Sequence, residues 1–231
     1  MKLLIISAGP GLDQIRIEYG HATDWISNLI NSSNIKIDIN NIYDNENFDE
    51  SYYDAWIITG SASSVVDNLD WMKLLKNKIN YAYDNSIPVL GICFGHQIIS
   101  SALGGEVVHN DKGWELGSYK LELTQEGFSS TLFNDIHPDD YFYFSHEDIV
   151  SKLPKNAIRL ASNGMGLQSF SIGNQIFGVQ FHPEFTFDIM DQYVKVRYEK
   201  GVIPQYNPVI DSKSSYKIIP NFIKIVKEKI S

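Results

Sequence analysis

The chain is poor in cysteine, in long apolar runs and in basic charge. One cysteine, Cys93, stands in 231 residues. It excludes an internal disulfide and fits a reducing compartment. No apolar run approaches the length of a transmembrane helix. The first residues, Met1 to Ser7, are apolar but too short for the hydrophobic part of a signal peptide, and they run into a turn at Ala8-Gly9-Pro10-Gly11. They are expected to form a first strand, in a cytoplasmic protein. Lys and Arg number 19 against 28 Asp and Glu, a net charge of −9. That balance argues against a nucleic-acid or anionic-membrane surface, which needs a basic stripe. Lys213, Lys217, Lys224, Lys227 and Lys229 are spread along a helical pattern and read as a solvated face. One cysteine and scattered histidines give no ligand cluster, so no metal site is expected. No ATP-binding fingerprint or Walker-type loop is visible, and no cofactor is expected.

The rest of the composition, 43% hydrophobic and 20% charged, is ordinary for a globular protein with a sizeable core. In the first half, strand-like runs at 2–7, 35–39, 55–59 and 88–92 alternate with helical patterns at about 19–30, 70–84 and 97–103. This order predicts an α/β fold: a doubly wound, mostly parallel sheet with helices on both faces. In the second half, short strand-like runs follow one another at 106–109, 118–123, 141–144, 158–161, 167–170 and 175–180. They predict an antiparallel extension of the same sheet. Helices are expected from Thr186 to Lys200 and, capped by Ser214 or Ser215, through about Lys229, with Pro220 near the first turn. No linker or composition break appears. Residues 1–231 therefore read as a single domain, with 201–231 an excursion and a closing helix.

The chemistry concentrates at Gly91-Ile92-Cys93-Phe94-Gly95-His96-Gln97. A buried strand, a tight Gly-x-Cys-x-Gly turn and a helix make a nucleophile elbow with sulfur in place of the serine oxygen. Side chains at 91 and 95 would clash as the backbone turns, and the positive end of the following helix favours an anionic sulfur. A structural cysteine beside a glycine-rich turn is the alternative. A cysteine nucleophile needs a base and a group that orients the base. Gly178-Val179-Gln180-Phe181-His182-Pro183-Glu184-Phe185 supplies candidates, because alternation puts His182 and Glu184 on one side of an extended chain, and Pro183 biases His182 toward extended backbone. His96, at the start of the elbow helix, reads as structural. His21, His109 and His137 read as surface or satisfied polar residues.

These two motifs together resemble the class I (triad) glutamine amidotransferases, from the first strand to about Phe185. The resemblance implies a flavodoxin-like domain with Cys93 as nucleophile, His182 as general base and then acid, and Glu184 as orienting carboxylate. It implies an oxyanion hole from the backbone N–H of Phe94 and of the Gly60-Ser61 turn, where the family usually has Gly-Gly-Pro. Gln97 inherits a substrate-holding role, and Ser145 and His146 fall where the family lines its glutamine pocket. Ser64-Val65, Gly113-Trp114-Glu115-Leu116-Gly117 and Phe185-Thr186 resemble stand-alone members similar to the GMP synthetase glutaminase domain and to γ-glutamyl peptidases. The segment from Gly113 to Gly117 reads either as a loop at the pocket mouth or as a hairpin crossing.

The implied function is hydrolysis of a γ-glutamyl amide, of glutamine or of a small γ-glutamyl compound, through a Cys93 thioester. The chain shows no synthetase half. The small-molecule substrate would then be served either with a separate synthetase or acceptor subunit, or by a stand-alone γ-glutamyl peptidase. A non-catalytic ligand-binding or regulatory module on the same fold is an alternative of another class, and a cysteine-dependent peptidase or chaperone-like protein of the same elbow-bearing superfamily is a third. Alkylation separates catalyst from binder: iodoacetamide is expected to modify Cys93 much faster than free cysteine near pH 6, followed by mass spectrometry, and an inert thiol would remove the nucleophile reading.

Overall fold

Strands that are apolar on both of their faces need cover on both sides. β1 (Lys2–Ser7), β3 (Ala55–Ile58) and β4 (Val89–Ile92) are such strands. In the computed structural model, which describes residues 1–30, 32–137 and 139–230, they lie inside an eight-stranded sheet. Its order is β2-β1-β3-β4-β12-β11-β10-β7, with β2 at Lys36–Asn41, β12 at Ile176–Val179, β11 at Gly166–Ile172, β10 at Ala157–Asn163 and β7 at Glu122–Leu123. From β2 to β12 neighbours run parallel, and from β12 to β7 antiparallel. The parallel half has the strand order of flavodoxin-like sheets, so the expected fold class holds.

Alternation along the strands divides the core. Leu4, Ile6, Trp56, Ile58 and Val89 pack under α3 (Asp70–Asp84) and α4 (Phe94–Ala102), against Leu75, Ile79 and Ile98. Leu3, Ile5, Ile57, Leu90 and Ile92 face the other way, toward Ile26 of α2 (Ala22–Asn28) and Ile219, Phe222 and Val226 of α7 (Ile218–Ile230). A third cluster joins Ile189, Met190 and Val194 of α6 (Phe187–Glu199) to Ile15 of α1 (Asp13–Tyr19) and to Leu116 and Tyr143. Among the described residues no helix is long and apolar enough to cross a membrane.

Several expectations need correction. The antiparallel strands do not all extend the main sheet. β5 (Glu106–His109) pairs with β9 (Asp148–Lys152), and β6 (Glu115–Lys120) with β8 (Tyr141–His146), as separate ladders. No position of β5 is buried, so it cannot serve inside a sheet covered on both faces. The run 118–123 is two strands, β6 and β7, and β9 escaped detection because Asp, Ser and Lys fill three of its five positions. The region before β2 holds two helices, because Gly20 at φ 83° ends α1. α2 begins with a capping box in which His21 accepts from the Asp24 N–H and donates its own N–H to the Asp24 carboxylate. Short α5 (Gln125–Ser129) follows β7. Ser214 does not cap α7: its hydroxyl and N–H both donate to Asp140 Oδ2, and a 3-10 turn at Ser215–Lys217 leads into the helix.

The elbow is the tightest point of the fold. A Cβ on Gly91 would lie 2.4 Å from the carbonyl group of Gly95, and one on Gly95 would lie 2.4 Å from the Ile58 carbonyl oxygen. These are backbone atoms of packed elements and cannot swing away. Gly95→Ala is therefore expected to destabilise the protein by about 2–3 kcal/mol, as overpacking does, in denaturant titration. Gly173→Ala, at a turn with nothing within 4 Å of the added carbon, should cost only about 1 kcal/mol for its left-handed backbone.

Candidate active site

The turn after β4 forces Cys93 to φ 52° and ψ −104°. Among the described residues the other non-glycine positions with positive φ are Asn, Asp and Ser, most of which visit that region readily. Cys93 does not, and such strain costs about 1–3 kcal/mol unless the surroundings impose it. Here they do. The Cys93 N–H donates to the Val179 carbonyl at 2.8 Å, and the Gln97 N–H donates to the Cys93 carbonyl at 3.1 Å. The last residue of β12 and the first turn of α4 thus fix the elbow from both sides. The first N–H groups of α4, that of Phe94 among them, have no intrahelical acceptor.

His182 follows β12 by three residues, and its N–H donates to the Tyr143 carbonyl at 2.8 Å. Its Nδ1 is 2.8 Å from Glu184 Oε1, which fixes the tautomer with the proton on that side. Among the described residues the other ring nitrogen is left free of any protein carboxylate, and the Cys93 sulfur lies close enough to act on the ring electrostatically. Phe185 stacks on the ring at 4.0 Å, and Tyr193 stacks on Phe185 at 4.8 Å. Burial opposes charge on His182, but Glu184 and Cys93 outweigh it through charge and hydrogen bonds and raise it to about 10. Gly60 completes the corner, since a Cβ there would come within 2.9 Å of the imidazole Cε1.

A cleft opens over the sulfur, at the carboxyl ends of β1, β3, β4 and β12, where open α/β sheets bind ligands. Of the residues singled out in the sequence, Cys93, His182, Glu184, Gly60, Ser61 and Ser145 line it together. The Ser145 carbonyl accepts from the thiol at 3.9 Å. Gln97 and His146 lie behind this wall. The Gln97 amide donates to the Asp148 carbonyl at 2.8 Å and to Gln180 Oε1 at 3.1 Å. His146 bridges the same Asp148 carbonyl, at 3.0 Å, and the fully buried Glu115 carboxylate, at 2.9 Å. Gln168 and Asn163 donate to that carboxylate at 2.8 and 2.5 Å. His96 is completely buried against Phe170, and burial lowers it to about 3. It is a neutral core residue.

Sequence reasoning missed Trp25, Tyr193 and Arg197, which also line the cleft. A signal existed for the last two: Tyr193 and Arg197 are four apart on the helix that follows His-Pro-Glu, so they share a face. No residue of the segment from Gly113 to Gly117 is among those that line the cleft. The segment enters β6 at Glu115, and Trp114 lies under the Arg197 guanidinium at 4.3 Å.

Comparison with known proteins agrees with this geometry. Residues 15–195 match the family model of the class-I glutamine amidotransferases, and the chain belongs to that family. It is 29% identical to γ-glutamyl peptidase 4 of Arabidopsis thaliana, across 96% of this chain and 95% of that one. It is 36% identical to a glutamine-hydrolysing GMP synthase subunit of Sulfurisphaera tokodaii, across 57% of this chain and 68% of that one. Its fold matches a glutamine amidotransferase of Thermotoga maritima with a TM-score of 0.74 at 19% identity, over 100% and 97% of the two chains.

The raised value of His182 has a consequence for stability. A histidine raised on folding stabilises the native state fully below its unfolded value, 6.5, and loses that contribution as pH rises through about 10. The excess thermal stability of the wild type over Glu184→Gln should therefore be greatest near pH 6 and shrink toward pH 10 in calorimetric scans.

Proposed function

We propose that the protein is a cysteine-dependent amidohydrolase that cleaves the γ-amide of glutamine or of a small γ-glutamyl compound. The carrying observation is the 2.8 Å pairing of His182 with Glu184, beside a cysteine held at φ 52° in the floor of one cleft. In this reading the Cys93 sulfur, its proton held on His182, attacks the amide carbon. The oxygen that becomes negative is met by backbone N–H groups of Phe94 and of Gly60 or Ser61, a geometry that stabilises the tetrahedral intermediate. The intermediate collapses to a thioester as His182 gives its proton to the departing amine. Water then attacks the thioester carbon and yields its proton to His182. Glutamate leaves, and the sulfur is restored. Glu184 keeps the imidazole oriented and stabilises its charge. Ser145 contributes its carbonyl to the substrate wall, while Gln97 and His146 support that wall from behind.

Two versions share this chemistry. Likeness to a γ-glutamyl peptidase over nearly the whole of both chains favours a stand-alone enzyme, as does a cleft that runs past the sulfur to Trp25 on α2. Likeness to a GMP synthase subunit supports a glutaminase that hands ammonia to a separate acceptor subunit. Steady-state release of glutamate from L-glutamine and from γ-glutamyl dipeptides tests both. The wild type is expected to turn over at least one of these, Cys93→Ala to lose roughly a thousandfold or more, and Glu184→Gln to lose about 10²–10⁴-fold in kcat. Turnover of dipeptides favours the peptidase, and weak glutaminase activity alone points to a partner. A wild type no better than Cys93→Ala on every substrate sinks the reading.

A further inference from the structure

Arg16 and Arg197 both line the cleft, but they are held differently. Arg16 lies at the surface and pairs with Asp13 at 2.8 Å. Arg197 is half-buried, and among the described residues no carboxylate forms an ion pair with it. Its Nε is fully buried and has no acceptor. Glu147 and Cys93 act on it only across space, while burial weighs against its charge. Withdrawing a guanidinium from water without a partner is costly, and an unanswered buried donor calls for an explanation.

Its placement is tightly fixed. Arg197 is one helical turn beyond Tyr193, whose ring stacks on Phe185 and through it on His182. That turn of α6 is packed by Val194 and Val196 into the third apolar cluster. The guanidinium carbon of Arg197 lies over the Trp114 ring, 4.3 Å from its centroid. A cation–π contact restrains the head group and supports its charge, but a π face accepts none of the in-plane N–H bonds. The fork is left with its donors oriented and unused. A planar fork of this kind fits a carboxylate through two parallel hydrogen bonds.

We propose that Arg197, steadied by Trp114, is the carboxylate anchor of the cleft, a binding residue for a carboxylate carried by the amide substrate. The proposal deepens the amidohydrolase reading and rests on it for the class of ligand. Two carboxylates meet the description: the α-carboxylate on the glutamyl side, and the terminal carboxylate of an amino acid or peptide on the leaving side. In either case the anchor acts on binding, by setting where along the cleft the scissile amide stops relative to Cys93.

The test separates these sources and does not require turnover. Calorimetric titration uses Cys93→Ala with L-glutamine and γ-glutamylalanine, and with counterparts in which one carboxylate at a time is capped as an amide. Cys93→Ala is expected to bind the uncapped ligand at least about tenfold more tightly than one of its capped forms, the scale of a charged hydrogen-bonded contact. Adding Arg197→Met, which keeps an apolar stem over Trp114, should erase that preference, and adding Arg197→Lys should restore part of it. Loss on capping the α-carboxylate places the anchor on the glutamyl side, and loss on capping the alanine carboxylate places it on the leaving side. The proposal is overturned if no ligand binds, if Cys93→Ala shows no preference for a free carboxylate, or if the preference survives Arg197→Met. A wild type without turnover whose Cys93→Ala form keeps an Arg197-dependent preference would remove the catalytic reading and leave the anchor standing.

Discussion

The backbone contact between α4 and β3 is the constraint on which the site depends. Gly95 sits against the Ile58 carbonyl, and Gly91 against Gly95, so the helix meets the sheet with no side chain between them. That proximity makes the chain reverse within one residue. The reversal puts Cys93 into a conformation its side chain disfavours and aims the start of α4 at the space above it. The position of Cys93, its strain and the candidate oxyanion donors thus follow from one steric fact. The hydrogen bond from Cys93 to Val179 extends it to the neighbouring strand, whose continuation carries His182. Sheet pairing between β4 and β12 is accordingly what holds Cys93 and His182 in register.

Around this contact the polar groups sort into two populations. Those behind the wall are extensively paired: Glu115, His146, Gln97, Gln168 and Asn163 answer one another, and the Asp148 carboxylate accepts from Ser64 at 2.5 Å while its other oxygen meets His109 Nδ1 at 2.5 Å, although among the described residues Gln168 Oε1 and Gln180 Nε2 are buried without a partner. A network so densely bonded stiffens the region it spans. It braces the β8–β9 corner, from which the Ser145 carbonyl faces the sulfur. Groups facing the cleft are less complete, Arg197 most plainly. Groups bonded to one another keep the shape, and the Arg197 guanidinium is available to a ligand.

Much of this was legible in the sequence because short-range rules governed it. The apolar runs of β1, β3 and β4 announced a covered parallel sheet, and Gly-x-Cys-x-Gly announced a turn that only glycine tolerates. His182 and Glu184 were assigned one side of the chain by strand alternation, and they meet there. What escaped was decided by distant partners. Nothing local tells that β5 and β6 leave the main sheet for β9 and β8, since that depends on which faces other elements cover. Gln97 resembled a substrate contact by position after the elbow, yet Asp148 and Gln180, remote in sequence, take its amide. Ser214 looked like a helix cap until Asp140 claimed its hydroxyl. Arg197 was invisible because its meaning lies in a partner it lacks.

The insertion of β12 between β4 and β11 also bears on the order in which the molecule acquires its reactivity. The elbow is built from early sequence, whereas the imidazole arrives on the last strand of the sheet. Pairings so remote in sequence form late, because the closure of long loops precedes the contacts that reward it. During synthesis the emerging chain therefore carries the Cys93 thiol for a long interval without the His182 imidazole beside it. β4, still unpaired on that side, meanwhile presents an open edge. One event of strand insertion closes the edge and brings His182 to Cys93. The assembly of this pair and the removal of an aggregation hazard are then the same step of folding.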